Sequence, residues 1–231
     1  MEMNGSSNSY PHPFRTRDGS YTLYVPELDE TYHSENGAIG ESEHVFIQRG
    51  FHAPFLKGKG KKTPLRIFEL GFGTGLNALL TLREAEKSGR TVDYMTIEPF
   101  PLPNGCWEKI IPLTNEYARF KELHEAPWER WCSIGSHFRL LKRSLPLEAL
   151  DDSAEADLLY YDAFGAQAQP EMWDSPNLDR ALFQAGPGSV FVTYAAKGSM
   201  KRCLERNGWE LEALAGALGK REMTRAIKKE A

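Results

Sequence analysis

The stretch Leu65–Asn77, with the sequence LRIFELGFGTGLN, decides the fold of this chain. Leu65–Leu70 is a short apolar run, which predicts a buried strand, and the glycine-rich turn at residues 71–75 follows it directly. A helical stretch at residues 76–88 and a second apolar strand at residues 91–98 come next. A strand, a tight turn, a helix and a second strand make a βαβ unit, so the sequence predicts a parallel sheet.

The rest of the chain continues this alternation of strands and helices. We predict further strands at residues 17–25, 137–141, 156–162 and 189–194, helices at 39–49, 146–150, 177–184 and 199–207, and a closing antiparallel strand pair at 209–214 and 221–227. The pattern therefore predicts an α/β fold with a Rossmann-like sheet of seven mostly parallel strands. Helices should cover both faces of this sheet.

The length of 231 residues suits one sizeable domain. We predict a flexible lead-in at residues 1–20 and a single domain at 21–231, in which residues 99–135 form a helical elaboration. No apolar run reaches the roughly 20 residues that a membrane helix needs. The polar start also lacks the pattern of a secretory signal, so we expect a cytoplasmic protein without a membrane partner.

Composition and charge restrict the class of protein further. The chain is 41% hydrophobic and 26% charged, which is typical of a globular protein with one core. Its net charge of -4 argues against a generally basic nucleic-acid binder. The three cysteines are widely spread and the six histidines are scattered, so we predict neither a disulfide framework nor a metal site.

Three sequence features should meet at the carboxyl edge of the predicted sheet, where open parallel sheets bind ligands. They are the glycine-rich turn, Glu98 at the end of the second strand, and Asp162 at the end of a later strand. Glycines let the backbone approach a ligand closely, and an acid in the position of Glu98 can accept hydrogen bonds from ribose hydroxyls. Together they predict a cofactor that contains a nucleoside.

The spacing of the glycines separates two cofactor classes. A dinucleotide fingerprint reads G-x-G-x-x-G, whereas Gly75 follows Gly71 and Gly73 one residue early for that pattern. Glu69 precedes the turn, and an acid there suits a cation better than a pyrophosphate. E-x-G-x-G-x-G is typical of class I methyltransferases, which bind the cation S-adenosylmethionine. A nucleotide-dependent oxidoreductase, and a glycine turn that serves packing in a non-catalytic module, stay as alternatives.

Several segments beyond the turn resemble one family of methyltransferases. They are TYHSENGA at 31–38, ESEHVF at 41–46, ELGFGTGLN at 69–77, DAF at 162–164 with PEMW at 170–173, and GKREM at 219–223. In this order they resemble the methyltransferase half of the bifunctional tRNA wobble-uridine enzyme MnmC and its stand-alone MnmD relatives. The resemblance extends from about residue 31 to residue 227.

The resemblance implies a specific reaction on tRNA. In this family, S-adenosylmethionine methylates the primary amine of a 5-aminomethyl group on the wobble uridine, giving 5-methylaminomethyl(-2-thio)uridine. The bifunctional members add an FAD-dependent oxidase domain that removes a carboxymethyl group first. The chain is too short to hold that domain as well, so we expect the methyl-transfer step alone. A methyltransferase acting on another amine is the alternative.

The resemblance also implies roles for individual residues. Asp162 is the expected catalytic proton acceptor, Glu98 should bind the ribose, and Glu69 should lie near the methionine amine. The turn and the start of the helix should hold the cofactor through Gly71, Phe72, Gly73, Thr74, Gly75 and Asn77. A loop should cover the cofactor with Tyr32, Ser34, Asn36 and Gly37.

Substrate contacts complete the set of expectations. Phe164 and Trp173 could stack on a flipped uracil ring, although aromatic residues in a parallel α/β fold are more often part of the core. Two basic stretches could hold the tRNA backbone, and their cations are Lys57, Lys59, Lys61, Lys62 and Arg66 in the first and Lys220, Arg221, Arg225, Lys228 and Lys229 in the second. Many relatives have an acid shortly after the third strand that contacts adenine, whereas the residues here are LKRS at 141–144.

Overall fold

The computed structural model describes residues 10–103, 105–110, 116–150 and 155–230. Within these ranges the strands are β1 (His12–Arg15), β2 (Tyr21–Val25), β3 (Glu30–Thr31), β4 (Leu65–Leu70), β5 (Val92–Ile97), β6 (Cys132–Ile134), β7 (Phe138–Arg143), β8 (Ala156–Tyr161), β9 (Ala185–Thr193), β10 (Trp209–Leu214) and β11 (Met223–Lys228). The α-helices are α1 (Ala38–Ser42), α2 (Leu76–Ser88), α3 (Tyr117–Glu125), α4 (Asn177–Phe183) and α5 (Gly198–Arg206). A π-helical segment, Glu43–Phe51, continues α1, and short 3-10 segments occur at Pro54–Leu56, Trp107–Ile110, Leu147–Ala149 and Pro170–Trp173.

The main sheet of the described ranges has eight strands in the order β10-β11-β9-β8-β4-β5-β7-β6. The five central strands are parallel, and β11 lies antiparallel between β9 and β10. The predicted mostly parallel Rossmann-like sheet with a closing antiparallel pair is therefore confirmed. The predicted strand count was one too low, because β6 pairs antiparallel with β7 inside the region expected to be only helical. Three residues are too few for strand periodicity to be visible in the sequence.

The central strands are apolar throughout because both faces of the sheet are covered. Successive side chains of a strand point to opposite faces. Ile67, Leu158 and Val190 accordingly pack into one core cluster, and their neighbours Phe68, Leu159 and Phe191 pack into the other. This two-sided burial explains why β4 and α2 occur at their predicted bounds.

The order of the strands creates the crevice in which a ligand can bind. From β4 the chain winds outward to β5 and β7, and it then returns to β8 on the other side of β4. At such a reversal the connections leave in opposite directions, and a crevice opens beyond the carboxyl ends of the strands. The glycine-rich turn follows β4, and Asp162 follows β8.

A second, three-stranded antiparallel sheet is formed by β1, β2 and β3. Its first strand, His12–Arg15, lies inside the region predicted as a flexible lead-in, so that expectation is corrected for these residues. Backbone pairing of β1 with β2 holds them, and a tight turn at Asp18–Gly19 joins the two strands. Residues 1–9 of the predicted lead-in lie outside the described residues. The single domain predicted for residues 21–231 stays a prediction.

The predicted elaboration at residues 99–135 packs behind the glycine-rich turn. The rings of Trp107 and His124 stack at 4.8 Å, and the ring of Phe72 meets His124 edge-on at 5.4 Å. His124 Nε2 also lies 3.0 Å from the backbone oxygen of Thr74. These contacts support the turn from the side opposite the crevice. Residues 104 and 111–115 of this region lie outside the described residues.

The helices in the described ranges are short. The longest of them, α2, has 13 residues, whereas a membrane span needs about 20. No helix in this part of the chain is both long enough and apolar enough to cross a membrane.

Candidate active site

A cavity of about 600 Å³ opens at the carboxyl ends of β4, β5 and β8. This volume is within the usual range of about 300–1,000 Å³ for small-molecule sites. Its walls include most of the predicted site residues, namely Tyr32, Gly71, Phe72, Gly73, Thr74, Asn77, Glu98, Asp162 and Phe164. The fold therefore brings together residues that are up to 132 positions apart in the chain.

The glycine-rich turn needs glycine for both its backbone angles and its space. Gly71, Gly73 and Gly75 have φ angles of +89°, +50° and +75°, which side chains disfavour. A Cβ on Gly73 would lie 2.9 Å from Cδ1 of Tyr32. Gly75 precedes the first residue of α2, so the free backbone N–H groups of that helix start at the cavity.

Glu98 is anchored at the end of β5 by two backbone groups. The N–H groups of Gly73 and Phe100 donate to its two carboxylate oxygens, each at 3.0 Å. Burial raises the pKa of Glu98, and these two hydrogen bonds oppose the rise. A carboxylate oxygen has a second lone pair, so this group can still accept hydrogen bonds from ribose hydroxyls.

Glu69 is only 1% exposed and lies beneath the floor of the cavity, outside the residues that line it. On the sheet it is in register with Thr96 of β5 and Tyr160 of β8. Burial, with a smaller effect from the nearby Asp162, raises its pKa well above the ordinary range. Hydrogen bonding from the side chains of Asn77, Tyr94 and Thr96 opposes this rise in the pKa of Glu69.

Asn77 also lines the cavity, and its Oδ1 has no hydrogen-bond partner among the described residues. Unpaired buried polar atoms are uncommon in folded proteins, so this acceptor fits a bound polar ligand that carries a hydrogen-bond donor. Together with the space left by Gly73 and the carboxylate of Glu98, the donor and acceptor set suits a nucleoside cofactor with a charged amine. The residues present therefore fit S-adenosylmethionine.

Asp162 lies beside this floor and faces α2. Asn77 Nδ2 donates to Asp162 Oδ2 at 2.7 Å. Burial raises the pKa of Asp162 to about 7, against the lowering effect of the Asn77 hydrogen bond. A carboxyl group with a pKa near 7 can accept and release a proton at neutral pH, which is the property expected of a general base.

Comparison with known proteins agrees with this geometry. The sequence pattern of a family described as S-adenosyl-L-methionine-dependent methyltransferase matches residues 141–229. The chain is 27% identical to the tRNA 5-methylaminomethyl-2-thiouridine biosynthesis bifunctional protein MnmC of Nitrosospira multiformis, over 87% of the chain and 34% of the relative. For the protein of the same name from Idiomarina loihiensis the identity is 30%, over 85% of the chain and 35% of the relative. The chain thus spans about a third of the length of these relatives.

The fold has a close counterpart among solved structures. MnmC2 from Aquifex aeolicus superimposes with a TM-score of 0.78, covering 98% of this chain and 72% of that one at 23% identity. This chain is an S-adenosylmethionine-dependent methyltransferase with an MnmC-type sequence and fold. The nucleoside cofactor predicted from the glycine spacing is thereby confirmed as S-adenosylmethionine, and the oxidoreductase alternative is set aside.

Two residues on the cavity of the methyltransferase were missed in the sequence. His33 Nε2 lies 2.7 Å from Thr74 Oγ1, and burial lowers the pKa of His33 to about 4, so the ring is neutral at pH 7. Phe100 is 77% exposed on the rim, two residues after Glu98. His33 had a signal, since it lies within the TYHSENGA segment. Phe100 lies among Pro99, Pro101 and Pro103, a pattern that breaks helices but carries no signal for a binding residue.

An acidic residue that follows β7 also lines the cavity, although it lies beyond the LKRS segment at residues 141–144. Glu148, on the 3-10 segment after β7, lines the cavity. Lys142, which we considered at this place, points the other way and is buried. Its Nζ donates to the backbone oxygens of Leu123 and His124 at 2.8 Å each, which ties α3 to the sheet.

Five predicted cofactor residues lie outside the cavity walls, namely Ser34, Asn36, Gly37, Glu69 and Gly75. Ser34, Asn36 and Gly37 form the turn that leads into α1, where the N–H of Asn36 donates to Ser34 Oγ at 3.3 Å. The backbone N–H of Ser34 donates to Glu41 at 3.1 Å. The contact of these three residues with the cofactor stays a prediction, as does a direct contact by Gly75, which lies just behind the wall.

The stacking role predicted for Trp173 needs correction. Trp173 is 1% exposed, and its ring packs edge-on against Tyr161 and Tyr194. Its Nε1 donates to the backbone oxygen of Phe164 at 2.8 Å. No face of the ring is open to a base, so Trp173 supports the loop that carries Phe164. Phe164 itself lines the cavity, with its ring 4.8 Å from that of Tyr32.

The basic stretch at residues 57–66 lies at the wrong edge of the sheet for the site. It precedes β4, so it is at the amino ends of the parallel strands, opposite the cavity. Two of its cations are also paired, because Lys59 Nζ lies 2.9 Å from Asp157 Oδ1 and Arg66 bonds to Asp157 and Glu155. This stretch therefore lies away from the cavity, and its contact with tRNA stays a prediction.

The second basic stretch is divided between the two edges. Lys220 and Arg221 precede β11 at the catalytic edge, next to the end of β9, whereas Lys228 bonds to the backbone oxygen of Ala185 at the opposite edge. Arg225 is buried and paired with Glu212. Lys220 is not a free cation either, since its Nζ forms an ion pair with Glu41. Arg221 is exposed.

Proposed function

We propose that this methyltransferase methylates the primary amine of a 5-aminomethyl group on the wobble uridine of tRNA. The product would be 5-methylaminomethyl(-2-thio)uridine, and S-adenosylmethionine would be the donor. The observation that carries the proposal is a buried proton acceptor, Asp162, hydrogen-bonded to Asn77 directly after the cofactor turn. The role in 5-methylaminomethyl-2-thiouridine biosynthesis for which the relatives from Nitrosospira multiformis and Idiomarina loihiensis are named supports the choice of substrate.

The cofactor would be held from three sides. Glu98 would accept hydrogen bonds from the ribose hydroxyls, and the turn at 71–75 would let the backbone approach the cofactor. The charged amine would lie near Glu69, where an opposite charge stabilises the ionised carboxylate. Tyr32 would close the site above Gly73. When bound, S-adenosylmethionine supplies the electrophilic methyl group on its sulfonium sulfur.

The residues of the chain would have to deliver a neutral amine. A primary alkylamine has a pKa near ~10, so at neutral pH it is mostly an ammonium without a free lone pair. The Asp162 carboxylate would accept one proton from the ammonium, directly or through a water. Asn77 would hold the carboxylate in a fixed orientation while this happens. The neutral amine could then attack in line with the methyl group, and the partial exclusion of water would favour the aligned geometry.

Recognition of the nucleobase would rest on the aromatic residues at the cavity. A uridine in an anticodon loop can leave the stack, and proteins bind such a base between aromatic or apolar groups. Phe164 on the wall and Phe100 on the rim are the aromatic side chains suited to this. The tRNA backbone would be contacted by cations at the same edge of the sheet, among them Arg221.

The proposal covers the methyl-transfer step only. The matched part of the relatives is about a third of their length, and the cavity contains one set of cofactor residues. The substrate of this step is an amine, so another reaction has to release the aminomethyl group on the uridine beforehand.

Nucleoside analysis tests the proposal directly. Purified protein is incubated with S-adenosylmethionine and tRNA that carries 5-aminomethyl-2-thiouridine, and digested nucleosides are analysed by mass spectrometry. We expect conversion to the methylaminomethyl nucleoside, and no conversion with Asp162→Asn. Methylation of free amines or proteins without any modification of this tRNA would instead favour the other amine substrates.

A further inference from the structure

An ion pair behind the active site joins two segments that are far apart in the sequence. Glu41 on α1 pairs with Lys220, which precedes β11, and the two residues are 179 positions apart. The Glu41 side chain is 8% exposed and that of Lys220 is 37% exposed. The second oxygen of Glu41 accepts the backbone N–H of Ser34 at 3.1 Å. The pair therefore connects three of the motifs by which the family is recognised.

The pair is next to the loop that carries Asp162. Lys220 Nζ lies over the ring of Tyr194, 4.7 Å from its centroid. The hydroxyl of Tyr194 in turn donates to the backbone oxygen of Ala163 at 2.8 Å. Ala163 directly follows Asp162, so a single aromatic ring separates the ion pair from the loop of the proposed base.

Both members of the pair change the pKa of Asp162 through electrostatic interactions, in opposite directions. Apart from the dominant effect of burial, Glu41 raises the pKa of Asp162 and Lys220 lowers it. The other titratable groups that face Asp162 are Glu69 and Tyr94 from the sheet and Tyr194 from the end of β9. Asn77, from α2, is uncharged. Among the described residues, Lys220 is the only cation that changes the pKa of Asp162.

We propose that Lys220 and Glu41 are positioning residues that set the charge of the Asp162 carboxyl from behind the cavity, without contacting the substrate. Lys220 favours the carboxylate form, which accepts the proton, and Glu41 moderates that effect and orients the ammonium. Tyr194 transmits the geometry, because its ring supports Lys220 and its hydroxyl holds the backbone next to Asp162. This assigns to Lys220 a role different from the tRNA contact expected from the sequence.

A purely structural tie would behave differently from an electrostatic one. If the pair only joined α1 to the segment before β11, removing either partner would have the same consequence, a loosened contact. If the pair sets the charge of Asp162, the two removals have opposite consequences. Loss of Lys220 leaves the negative Glu41 and raises the pKa of Asp162, whereas loss of Glu41 leaves the positive Lys220 and lowers it.

Titration of the carboxyl group by NMR distinguishes the two cases. Protein labelled with ¹³C at the aspartate carboxyl is titrated as the wild type and as Lys220→Met, Glu41→Gln and the double variant, and the signal is assigned with Asp162→Asn. We expect the apparent pKa of Asp162 to rise by about half a unit or more in Lys220→Met and to fall by a similar amount in Glu41→Gln. The double variant should return near the wild-type value. Because Glu69 is close, these values belong to the coupled pair.

A matched ion pair elsewhere provides the control. Lys201 pairs with Glu222 at 2.5 Å, with side chains that are 24% and 32% exposed, and neither residue acts on Asp162. Lys201→Met and Glu222→Gln should leave the titration of Asp162 unchanged. The conservative Lys220→Arg variant keeps the positive charge, so the apparent pKa of Asp162 in it should match the wild-type value. It is the Lys220 variant to use if Lys220→Met does not fold. Shifts of equal sign in Lys220→Met and Glu41→Gln, or none beyond the controls, would overturn the proposal.

This inference rests on the proposed role of Asp162 as the base, but its test does not. The NMR titration needs neither tRNA nor turnover. If the tRNA assay fails but the pKa of Asp162 shifts in opposite directions in Lys220→Met and Glu41→Gln, the proposed substrate is refuted. If the enzyme methylates the tRNA but the two pKa shifts are not opposite, the proposed role of the ion pair is refuted.

Discussion

The side-chain amide of Asn77 donates a hydrogen bond to the Asp162 carboxylate, with 2.7 Å between Nδ2 and Oδ2. Asn77 is in the first turn of α2, directly after the glycine-rich turn, and Asp162 directly follows β8. The bond therefore joins the element that binds the cofactor to the element that carries the proposed base. A displacement of the turn would therefore also move the Asp162 carboxylate. In this way the hydrogen bond couples cofactor binding to the orientation of the proposed base.

Replacing Asp162 with Asn should abolish most of the turnover and leave the cofactor bound. The amide keeps the shape and accepts the Asn77 hydrogen bond, but it cannot accept a proton from the substrate. We expect methyl transfer to fall about 10²–10⁴-fold, with the Kd for S-adenosylmethionine changed only a few-fold. Single-turnover assays and calorimetric titration measure the two quantities.

Asp174→Asn is the control for this substitution. Asp174 is exposed, 3.7 Å from Lys197, and lies outside the cavity walls. Its variant should keep full turnover. Unchanged turnover in Asp162→Asn would show that the proton is accepted elsewhere.

The raised pKa of Asp162 predicts that the same variant is more stable at alkaline pH. The ordinary aspartate value of 3.8 applies to the unfolded chain, and burial raises the pKa to about 7 in the folded one. The folded state therefore binds more protons between these values, and stability falls as the pH rises from about 4 through about 7. Asp162→Asn avoids this loss. We expect its Tm to exceed that of the wild type by a few degrees at pH 8 and to match it near pH 4.

Asp157 provides a control of opposite sign. Its pKa is lowered, because hydrogen bonds from Arg66 and Lys59 outweigh burial. Asp157→Asn should therefore lower the Tm at pH 8. A Tm of Asp162→Asn that tracks the wild type at every pH would argue against the raised pKa.

A methyl group on Gly73 should impair cofactor binding specifically. In Gly73→Ala the added Cβ would lie 2.9 Å from Cδ1 of Tyr32, at a φ of +50°. We expect the turn or Tyr32 to shift and the Kd for S-adenosylmethionine to rise by about tenfold or more, since a tenfold change corresponds to only about 1.4 kcal/mol.

Gly89→Ala separates this effect from backbone strain. Gly89 ends α2 with a similar φ of +65°, and a Cβ there would meet no atom within 4 Å. Both variants should lose about 1 kcal/mol of stability through the left-handed backbone, measured by thermal unfolding. Equal cofactor affinities in the two variants would contradict the role of Gly73.

Phe100→Ala should weaken binding of tRNA without destabilising the fold. The ring is 77% exposed on the cavity rim, so its removal leaves little unfilled space. Stacking of a base on an aromatic ring contributes about 1–3 kcal/mol, so the KM for tRNA should rise by roughly 5–150-fold. Phe183→Ala is the control, because Phe183 is 65% exposed but lies outside the cavity walls. If both variants had the same KM, Phe100 would not contact the substrate.

The two basic stretches should differ in their effect on tRNA affinity. Arg221→Ala removes an exposed cation at the catalytic edge, and we expect weaker binding and a salt slope reduced by about one unit if one phosphate contact is lost. Lys61→Ala with Lys62→Ala removes two exposed cations at the opposite edge and should leave the slope unchanged. Binding assays over a series of salt concentrations test this. A larger effect of the lysine pair would place the tRNA on the other edge.

Much of the cofactor site could be predicted from the sequence because its signals are local. The apolar run of β4, the glycines after it and the acid at the end of β5 all lie within 34 residues. The position of the basic loop at residues 57–64 could also have been inferred, because a loop before a parallel strand lies at its amino end. Phe100 was missed because a proline-rich segment indicates only that a helix is broken. It does not predict which surface of the protein the segment lines.

The sequence by itself determined the βαβ unit, the parallel sheet and the meeting of the glycine-rich turn, Glu98 and Asp162 at one edge. These features follow from strand periodicity and from the rule that parallel strands end at the same edge. Only the tertiary structure decided that Trp173 points into the core and that Lys220 pairs with Glu41. Both depend on packing between segments far apart in the chain, and the residue types alone are compatible with an aromatic ring or a lysine in either environment. The free energies of burying Trp173 and of pairing Lys220 depend on residues that are close in space but far apart in the chain. The local sequence does not identify these residues.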